Sequence, residues 1–123
     1  MRLHHVSIPV GPEELDEARA FYSGAFGLQE VPSPATLGPQ RVAWFDMGGR
    51  ELHLFIEDGA NLTPSGRHLA FEVDDLEAAR QRLIKHGVDI EVADPEIYNR
   101  PRFFCHDPFG NRIEVTRIVG PYQ

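Results

Sequence analysis

An internal repeat that relates the two halves of the chain is the feature that most limits how it can fold. In the first half, a strand pattern over residues 3–10 precedes a helix pattern that begins at Gly11 and Pro12. In the second half, a strand pattern over residues 67–73 precedes a helix pattern that begins at Asp74. The two helix patterns share three matched pairs at one constant offset: Leu15 with Leu76, Ala18 with Ala79, and Arg19 with Arg80. This repetition predicts that each half is one copy of the same supersecondary unit.

Residues that favour helix ends mark both helices. A proline and several acidic residues near the first turn favour a start at Pro12, and we expect this helix to stop near residues 24–27. In the second half, Asp74 is predicted to be the N-cap, with Glu77 three residues on, and Gly87 is predicted to end the helix.

A short strand, a proline-containing loop and a hairpin follow each helix pattern. The strand patterns lie at residues 28–31 and 88–92, and the hairpins turn at residues 48–49 and 107–110. Each half therefore predicts the order βαβββ. We expect an α+β fold in which two such modules, residues 1–60 and 64–123, form a curved eight-stranded cup with the helices outside.

The size and charge of the chain narrow its function. A chain of 123 residues can bury one modest core, so we expect a single domain over residues 1–123. A net charge of −7 opposes nonspecific binding to nucleic acid and to anionic membranes, and no apolar run has the length of a membrane-spanning helix. The amino terminus does not resemble a signal peptide, and one cysteine, Cys105, allows no internal disulfide. We therefore expect a cytoplasmic protein.

Four polar side chains lie opposite the apolar faces of the predicted strands. Side chains alternate between the two faces of a strand, so His5, His53, His68 and Glu114 oppose residues that are expected to pack on the helices. His5 and His68 hold equivalent positions in the two modules, as do His53 and Glu114. We expect all four on the concave side of the sheet. The predicted core face consists of Val6, Ile8, Leu15, Ala18, Leu52, Leu54, Leu69, Phe71, Leu76, Ala79, Leu83, Ile113 and Val115.

Three imidazoles and one carboxylate form a suitable ligand set for a divalent transition metal. The donor types leave Zn, Ni, Co, Mn and Fe open, and no thiolate directs the site toward a soft metal. Four protein ligands leave two adjacent positions on an octahedral ion, which a substrate with two neighbouring oxygens could fill. Glu114 is then the predicted catalytic base, which removes a proton beside a polarised carbonyl.

Other polar and aromatic residues have more ordinary interpretations. His4 is expected to face away from His5, and Cys105 is expected to be inert. Arg102 is the candidate for binding an anionic substrate group. Four aromatic residues are expected in the core: Trp44, Phe55, Phe103 and Phe104. Depending on the strand register, some of them line the cup instead. Phe55 and Phe104 are the substrate-binding candidates among them.

Three segments resemble a known superfamily. They are residues 3–10 (LHHVSIPV), residues 67–76 (RHLAFEVDDL) and residues 107–115 (DPFGNRIEV), and the last is the most specific. Together they resemble the vicinal oxygen chelate superfamily, which comprises glyoxalases, bleomycin-resistance proteins and extradiol dioxygenases. The resemblance covers nearly the whole chain. It implies a homodimer and leaves open whether the ligands of one site come from one chain or from two.

The resemblance also implies roles for individual residues. His5, His68 and Glu114 match three metal ligands shared by many metal-binding members, whereas His53 falls where glyoxalase I carries a glutamate. That difference argues against lactoylglutathione as the substrate. The favoured function is a metal-dependent lyase or isomerase of the glyoxalase kind, acting on a small substrate. The alternatives are an extradiol-type Fe(II) dioxygenase and a non-enzymatic ligand-binding protein of the bleomycin-resistance kind.

Overall fold

The computed structural model describes residues 1–59 and 65–121. The chain forms two compact units, Met1–Leu62 and Thr63–Gln123, and in the described residues each has one α-helix and a four-stranded sheet in the order βαβββ. The predicted α+β class and the repeated module are therefore confirmed. Within the described ranges, no helix is both long enough and apolar enough to cross a membrane.

The first unit builds its sheet in the spatial order β1-β4-β3-β2. Strand β1 runs parallel to β4, and the other pairs are antiparallel. Its elements are β1 (His5–Val10), α1 (Leu15–Ala20), a π-helical turn (Phe21–Ala25), β2 (Gln29–Val31), a 3-10 turn (Ala35–Leu37), β3 (Val42–Asp46) and β4 (Glu51–Ile56).

The second unit repeats this topology in the order β5-β8-β7-β6, with β5 parallel to β8. Its elements are β5 (His68–Glu72), α2 (Leu76–Lys85), β6 (Glu91–Val92), β7 (Arg102–His106) and β8 (Arg112–Thr116). Parallel pairing of the first and last strands of a module requires the crossover that the helix provides.

The hairpin turns form where the sequence predicts them. Gly48 and Gly49 both have positive φ, 73° and 94°, and the Met47 N–H donates to the Arg50 carbonyl at 2.7 Å. Two left-handed central residues define the mirror-image type I turn, which suits the twist of a two-strand ribbon and favours glycine.

Asp107 organises the second hairpin turn from a buried position. Its Oδ1 accepts hydrogen bonds from the backbone N–H groups of Phe109 at 3.0 Å and Asn111 at 2.8 Å, and its Oδ2 accepts one from the Asn111 side-chain amide at 2.8 Å. A buried carboxylate is tolerated only when such donors surround it. Residues 107–115, the segment that most resembles the superfamily, therefore form a turn that fixes where β8 begins. That strand carries Glu114.

The start of α2 differs from the prediction. Asp75 is the N-cap: its backbone is extended, with φ −125° and ψ 99°, and its carboxylate accepts the Ala78 N–H at 2.9 Å. The prediction of Asp74 was wrong because two adjacent aspartates compete for the cap, and the helix begins one residue later than expected. Gly87 ends the helix as predicted, with φ 78° and a Val88 N–H bond to the Leu83 carbonyl at 3.0 Å.

Each sheet buries one face and helices cover it. In the first unit α1 packs against β3 and β4, and in the second α2 packs against β8. Seven residues of the predicted core are buried: Leu15, Ala18, Leu52, Leu54, Leu83, Ile113 and Val115. The other six are partly exposed: Val6, Ile8, Leu69, Phe71, Leu76 and Ala79. Four of these six lie on β1 and β5, each of which is at one edge of its unit's sheet. Tyr22, Phe45 and Cys105 are fully buried although the predicted core face omits them.

Candidate metal and substrate site

The polar face of the first sheet carries the first pair of predicted ligands. The strand register places Ser7, His53 and Trp44 in one row, and His5 lies in the next row beside Glu51. The side chains of both rows project from the face opposite Leu52 and the α1 helix. His5 and His53 therefore share one face, as strand alternation predicts.

Three aromatic rings form a stack on this face. The His53 ring lies parallel to the Trp44 indole, with centroids 3.9 Å apart and planes 2° apart, and parallel to the His5 ring at 4.0 Å and 18°. His53 is only 7% exposed as a result. Its Nε2 lies 3.0 Å from the Glu51 Oε1. The ring is thus held in place by packing, and Glu51 occupies the direction in which its Nε2 would bind an ion.

His4 does not take the position that the sequence predicts. Its ring packs edge-on against His5, with centroids 5.2 Å apart, and the two Nδ1 atoms lie 2.9 Å apart. The prediction that His4 faces away from His5 was wrong because β1 begins at His5, so the alternation of a strand does not extend to the preceding residue. Trp44, which the sequence favoured for the core, lies on the polar face and is partly exposed.

The second unit brings together the other predicted pair. His68 Nε2 lies 2.9 Å from Glu114 Oε2, and His68 Nδ1 lies 2.8 Å from the Gly66 carbonyl oxygen. A carbonyl oxygen only accepts hydrogen bonds, so this contact requires an N–H at Nδ1, which donates to the Gly66 carbonyl. This bond fixes the ring orientation and directs Nε2 toward Glu114. It is also the outer contact that typically orients a metal-binding imidazole.

The geometry of this pair fits a shared metal ion. Two ligand atoms about 2.1 Å from an ion and at right angles to each other lie about 3.0 Å apart. The observed 2.9 Å between the nitrogen and the oxygen agrees with that separation. The His68 and Glu114 side chains are 31% and 16% exposed, so they form an accessible pair at the surface of the sheet. In residues 1–59 and 65–121, no cluster of three or more histidine, cysteine, aspartate or glutamate side chains that could hold an ion is present.

Phe104 is the centre of a second group on the polar face of the second sheet. Phe104 is 5% exposed, and two guanidinium groups lie over its ring, with the Arg112 Cζ 3.8 Å and the Arg102 Cζ 5.3 Å from the centroid. The His68 ring meets it edge-on at 5.3 Å. The sequence analysis missed Arg112, although it precedes Glu114 by two residues and therefore shares its face.

The chain matches one protein family over most of its length. The profile of the Glyoxalase/Bleomycin resistance protein/Dioxygenase superfamily matches residues 2–115. The chain belongs to this superfamily.

Solved structures of other superfamily proteins share the fold. A glyoxalase family protein from Bacillus anthracis is 34% identical, with a TM-score of 0.86 over 96% of this chain and 95% of that one. A lactoylglutathione lyase from Agrobacterium tumefaciens is 25% identical, with a TM-score of 0.71 over 94% and 92%. A fosfomycin resistance protein from Listeria monocytogenes, solved with Mn(II) and sulfate, is 17% identical, with a TM-score of 0.76 over 95% and 89%, and shows similarity of fold alone.

A sequence relative among curated proteins is the uncharacterized protein YaeR of Escherichia coli strain K12. It is 44% identical to this chain over 50 residues, which span 40% of this chain and 39% of that protein. The match thus covers about two fifths of the relative's length.

The remaining substrate candidates of this superfamily member lie on the same two polar faces. Phe55 follows His53 by two residues on β4 and is partly exposed. Arg102 begins β7, and its Nη2 donates to the Pro95 carbonyl at 2.8 Å. Both residues therefore stand in rows next to predicted ligands of their own unit, Phe55 beside the row of His53 and Arg102 beside the row of Glu114.

Two other residues of this superfamily member have structural roles. Cys105 is fully buried on the helix side of β7, and burial, reinforced by the negative charges of Glu91 and Asp107, raises the pKa of its thiol to about 12. His86 donates from Nδ1 to the Arg82 carbonyl at 2.8 Å at the end of α2. Neither residue has a place in the candidate site.

Proposed function

We propose that this protein is a divalent-metal-dependent lyase or isomerase of the glyoxalase kind. Its substrate is a small molecule that chelates the ion through neighbouring oxygens, and the ion is held by His5, His53, His68 and Glu114. The observation that carries this proposal is the His68–Glu114 pair, at 2.9 Å and with His68 oriented by Gly66. Kinship with a lactoylglutathione lyase supports the reaction class.

Glu114 is the proposed general base. When bound, the metal would act as a Lewis acid that polarises the substrate carbonyl and makes the neighbouring C–H bond more acidic. Glu114 Oε2 faces His68, whereas Oε1 has no hydrogen-bond partner in the described part of its unit. The carboxylate can therefore keep one oxygen on the ligand side and use the other to take the proton. In an isomerase it returns that proton to the adjacent carbon.

The proposed substrate-binding residues are Arg102, Phe104 and Phe55. A guanidinium recognises carboxylate or phosphate through paired hydrogen bonds, which suits Arg102 to an anionic group. Phe55 supplies an apolar surface for the substrate two residues from His53. Phe104 supplies one next to Glu114, its partner in the strand register.

An Fe(II) dioxygenase of the extradiol type is the second candidate, and one contact favours it. Glu51 lies 3.0 Å from the His53 Nε2, which leaves His5, His68 and Glu114 as a set of two histidines and one carboxylate. That set is typical of non-haem iron oxygenases because it leaves positions open for oxygen and substrate.

Metal analysis by mass spectrometry on tag-free protein tests the proposal. We expect near-stoichiometric metal in the wild type, loss in His5→Ala and in Glu114→Ala, and retention in His86→Ala, whose histidine only caps α2. Nickel, cobalt, manganese or zinc supports the lyase or isomerase, and iron places the dioxygenase first. An absence of metal after reconstitution would reject both enzymes and leave a ligand-binding protein of the bleomycin-resistance kind.

We also propose that the protein is a homodimer, which the superfamily resemblance implies, and that it is cytoplasmic, which its single cysteine fits. Light scattering coupled to size-exclusion chromatography measures the mass directly. A mass near twice the 13.9 kDa of the chain supports the dimer, and a mass near 13.9 kDa contradicts it.

A further inference from the structure

Among the described residues of the second unit, the acidic groups beside Phe104 contact histidines, and the two arginines over its ring form no ion pair. Glu114 and Glu91 both lie in the row of Phe104 on the second sheet. Glu114 Oε2 contacts His68 at 2.9 Å, and Glu91 Oε2 contacts His106 at 3.5 Å. In the described part of the second unit, neither Arg102 nor Arg112 forms an ion pair with a carboxylate.

The hydrogen-bonding capacity of both guanidiniums is largely unused. A guanidinium carries five N–H donors. The hydrogen bond of Arg102 runs from Nη2 to the Pro95 carbonyl, and its Nε is buried without a partner in the described residues. Arg112 forms no hydrogen bond to the described residues of its unit, and its guanidinium packs on the Phe104 ring at 3.8 Å. The Arg102 Nη1 and the Arg112 guanidinium, which make no hydrogen bond to the described residues of this unit, therefore keep N–H donors for an anionic group.

Arg102 and Arg112 lie on either side of Glu114 on the same face of the sheet, so they adjoin the candidate site. Arg112 pairs with His68 in the strand register, and Arg102 pairs with Thr116, so the two arginines stand in the rows on either side of Glu114. Stacking on Phe104 holds the Arg112 guanidinium in place, which lowers the entropy lost when it binds a ligand. In a chain with a net charge of −7, two arginines that form no ion pair with the described residues of their unit make the surroundings of Glu114 and His68 locally positive.

We propose that Arg112 and Arg102 bind an oxyanion, a carboxylate or a phosphoryl group, on the polar face of the second unit. As an anchor for the substrate, this subsite rests on the proposed function. To the role already proposed for Arg102 it adds Arg112 as a second cation that holds the anionic group. Anion binding itself requires these two side chains and does not require the metal.

Anion titrations of the metal-free, EDTA-treated protein test this subsite separately from the metal site. Inorganic phosphate and acetate are added at constant ionic strength, and binding is followed by calorimetry and by the Nε–Hε NMR signals of the arginines. We expect saturable binding of at least one anion, with the Arg102 and Arg112 signals shifting together. The anion that binds more tightly identifies the group as phosphoryl or carboxylate.

Matched variants identify the residues responsible. We expect Arg112→Gln and Arg102→Gln each to weaken binding at least tenfold, and Arg80→Gln, which removes the same charge from α2, to change it less than twofold. Arg112→Lys keeps the charge and the fold, and we expect it to recover part of the affinity. Circular dichroism confirms that each variant is folded.

The results that overturn the proposal differ from those that overturn the metal site. If neither anion shows saturable binding up to about 10 mM, its dissociation constant is above that value and the oxyanion subsite is rejected. Equal weakening in Arg80→Gln would also reject it, since binding would then reflect net charge. Metal analysis is unaffected by either outcome, and anion binding in a protein that takes up no metal would leave the subsite standing without the enzyme.

Discussion

His53 illustrates how the role of a single residue depends on the groups around it. The sequence placed it with His5 on a polar face, and the structure adds a Trp44 ring on one side, a His5 ring on the other and Glu51 at its Nε2. A histidine packed in this way binds an ion only if the carboxylate moves aside or joins the site. Trp44 and Glu51 therefore influence the first half of the candidate site as much as the histidines do.

The stack makes Trp44 a reporter of metal binding. Trp44 is the one tryptophan of the chain and lies 3.9 Å from the His53 ring. We expect Ni²⁺ or Co²⁺ to quench its fluorescence in the wild type and in His86→Ala, because the proposed ligands His5 and His53 belong to the same stack. His68→Ala removes a proposed ligand from the other unit, so it should abolish the quenching without altering the stack around Trp44. Unchanged emission in protein that analysis shows to be metal-loaded would place the ion away from His5 and His53.

Cys105 should be unreactive in the folded protein. Burial raises the pKa of its thiol to about 12 from an ordinary value of 9.0, and the thiolate is the reactive form. We expect no labelling by a thiol reagent at pH 8 until the chain is unfolded in guanidinium. The unfolded chain loses the proton at a lower pH than the folded chain, so the free energy of unfolding should fall as the pH rises from 9 to 12. In Cys105→Ala, this alkaline loss should be smaller, and rapid labelling of the native wild type would contradict the burial.

At the scale of helices and strands, matched positions of the repeat have acquired different contacts. Arg19 bonds to Glu30 at 2.9 Å, Asp16 at 3.1 Å and the Val42 carbonyl at 3.1 Å, and also reaches the Pro39 carbonyl. Burial alone would lower the pKa of Arg19, but the bonds to Glu30 and Asp16 outweigh it and raise the pKa. Arg80, its counterpart on α2, has one ion pair with Glu77 at 3.5 Å.

This difference predicts unequal costs for the same substitution. We expect Arg19→Met to lower the free energy of unfolding by about 1 kcal/mol, because it leaves the part-buried Val42 carbonyl of β3 without this donor and removes the exposed ion pairs to Asp16 and Glu30. Arg80→Met should change it by less than about 0.5 kcal/mol, since an exposed pair contributes little. Denaturation by urea measures both values, and equal effects would mean that the repeat positions are equivalent in energy as well as in sequence.

The corrected cap of α2 gives a second test at this scale. Asp75→Ala should cost about 1 kcal/mol, because it removes the acceptor for the Ala78 N–H. Asp74→Ala removes the same charge from the preceding residue and should have little effect. If Asp74→Ala were the more destabilising change, the cap would lie where the sequence first placed it.

At the scale of the whole molecule, the predicted ligands are divided equally between the two units. The first unit holds His5 and His53, and the second holds His68 and Glu114. Under the proposed four-ligand set, whether its ligands come from one chain or from two, a bound ion would contact both kinds of unit and would therefore couple their stability. This coupling distinguishes one joint site from two weak ones.

Thermal unfolding with and without metal measures the coupling. A ligand that binds only the folded state at about one hundred times its Kd adds about 2.7 kcal/mol of stability, which raises the Tm by several degrees. We expect His5→Ala and Glu114→Ala each to lose the whole increase, and His86→Ala to keep it. If each variant kept about half of the increase, the two pairs would bind separate ions.

The sequence by itself determined the repeated βαβββ order, the two hairpin turns, the helix stop at Gly87 and the polar faces that carry the candidate ligands. These features depend on local rules: strand alternation, glycine at positive φ and a strict repeat. The superfamily could also be recognised from three short segments, because one of them encodes the buried Asp107 turn.

Tertiary structure decided which groups meet. The placement of Glu51 at His53, of His4 against His5, and of two arginines around Phe104 depends on strand register and on where a strand begins. Register is a property of paired strands, so no single segment contains it. The choice of Asp75 over Asp74 was likewise decided by the helix that forms, since both aspartates meet the local requirement for a cap.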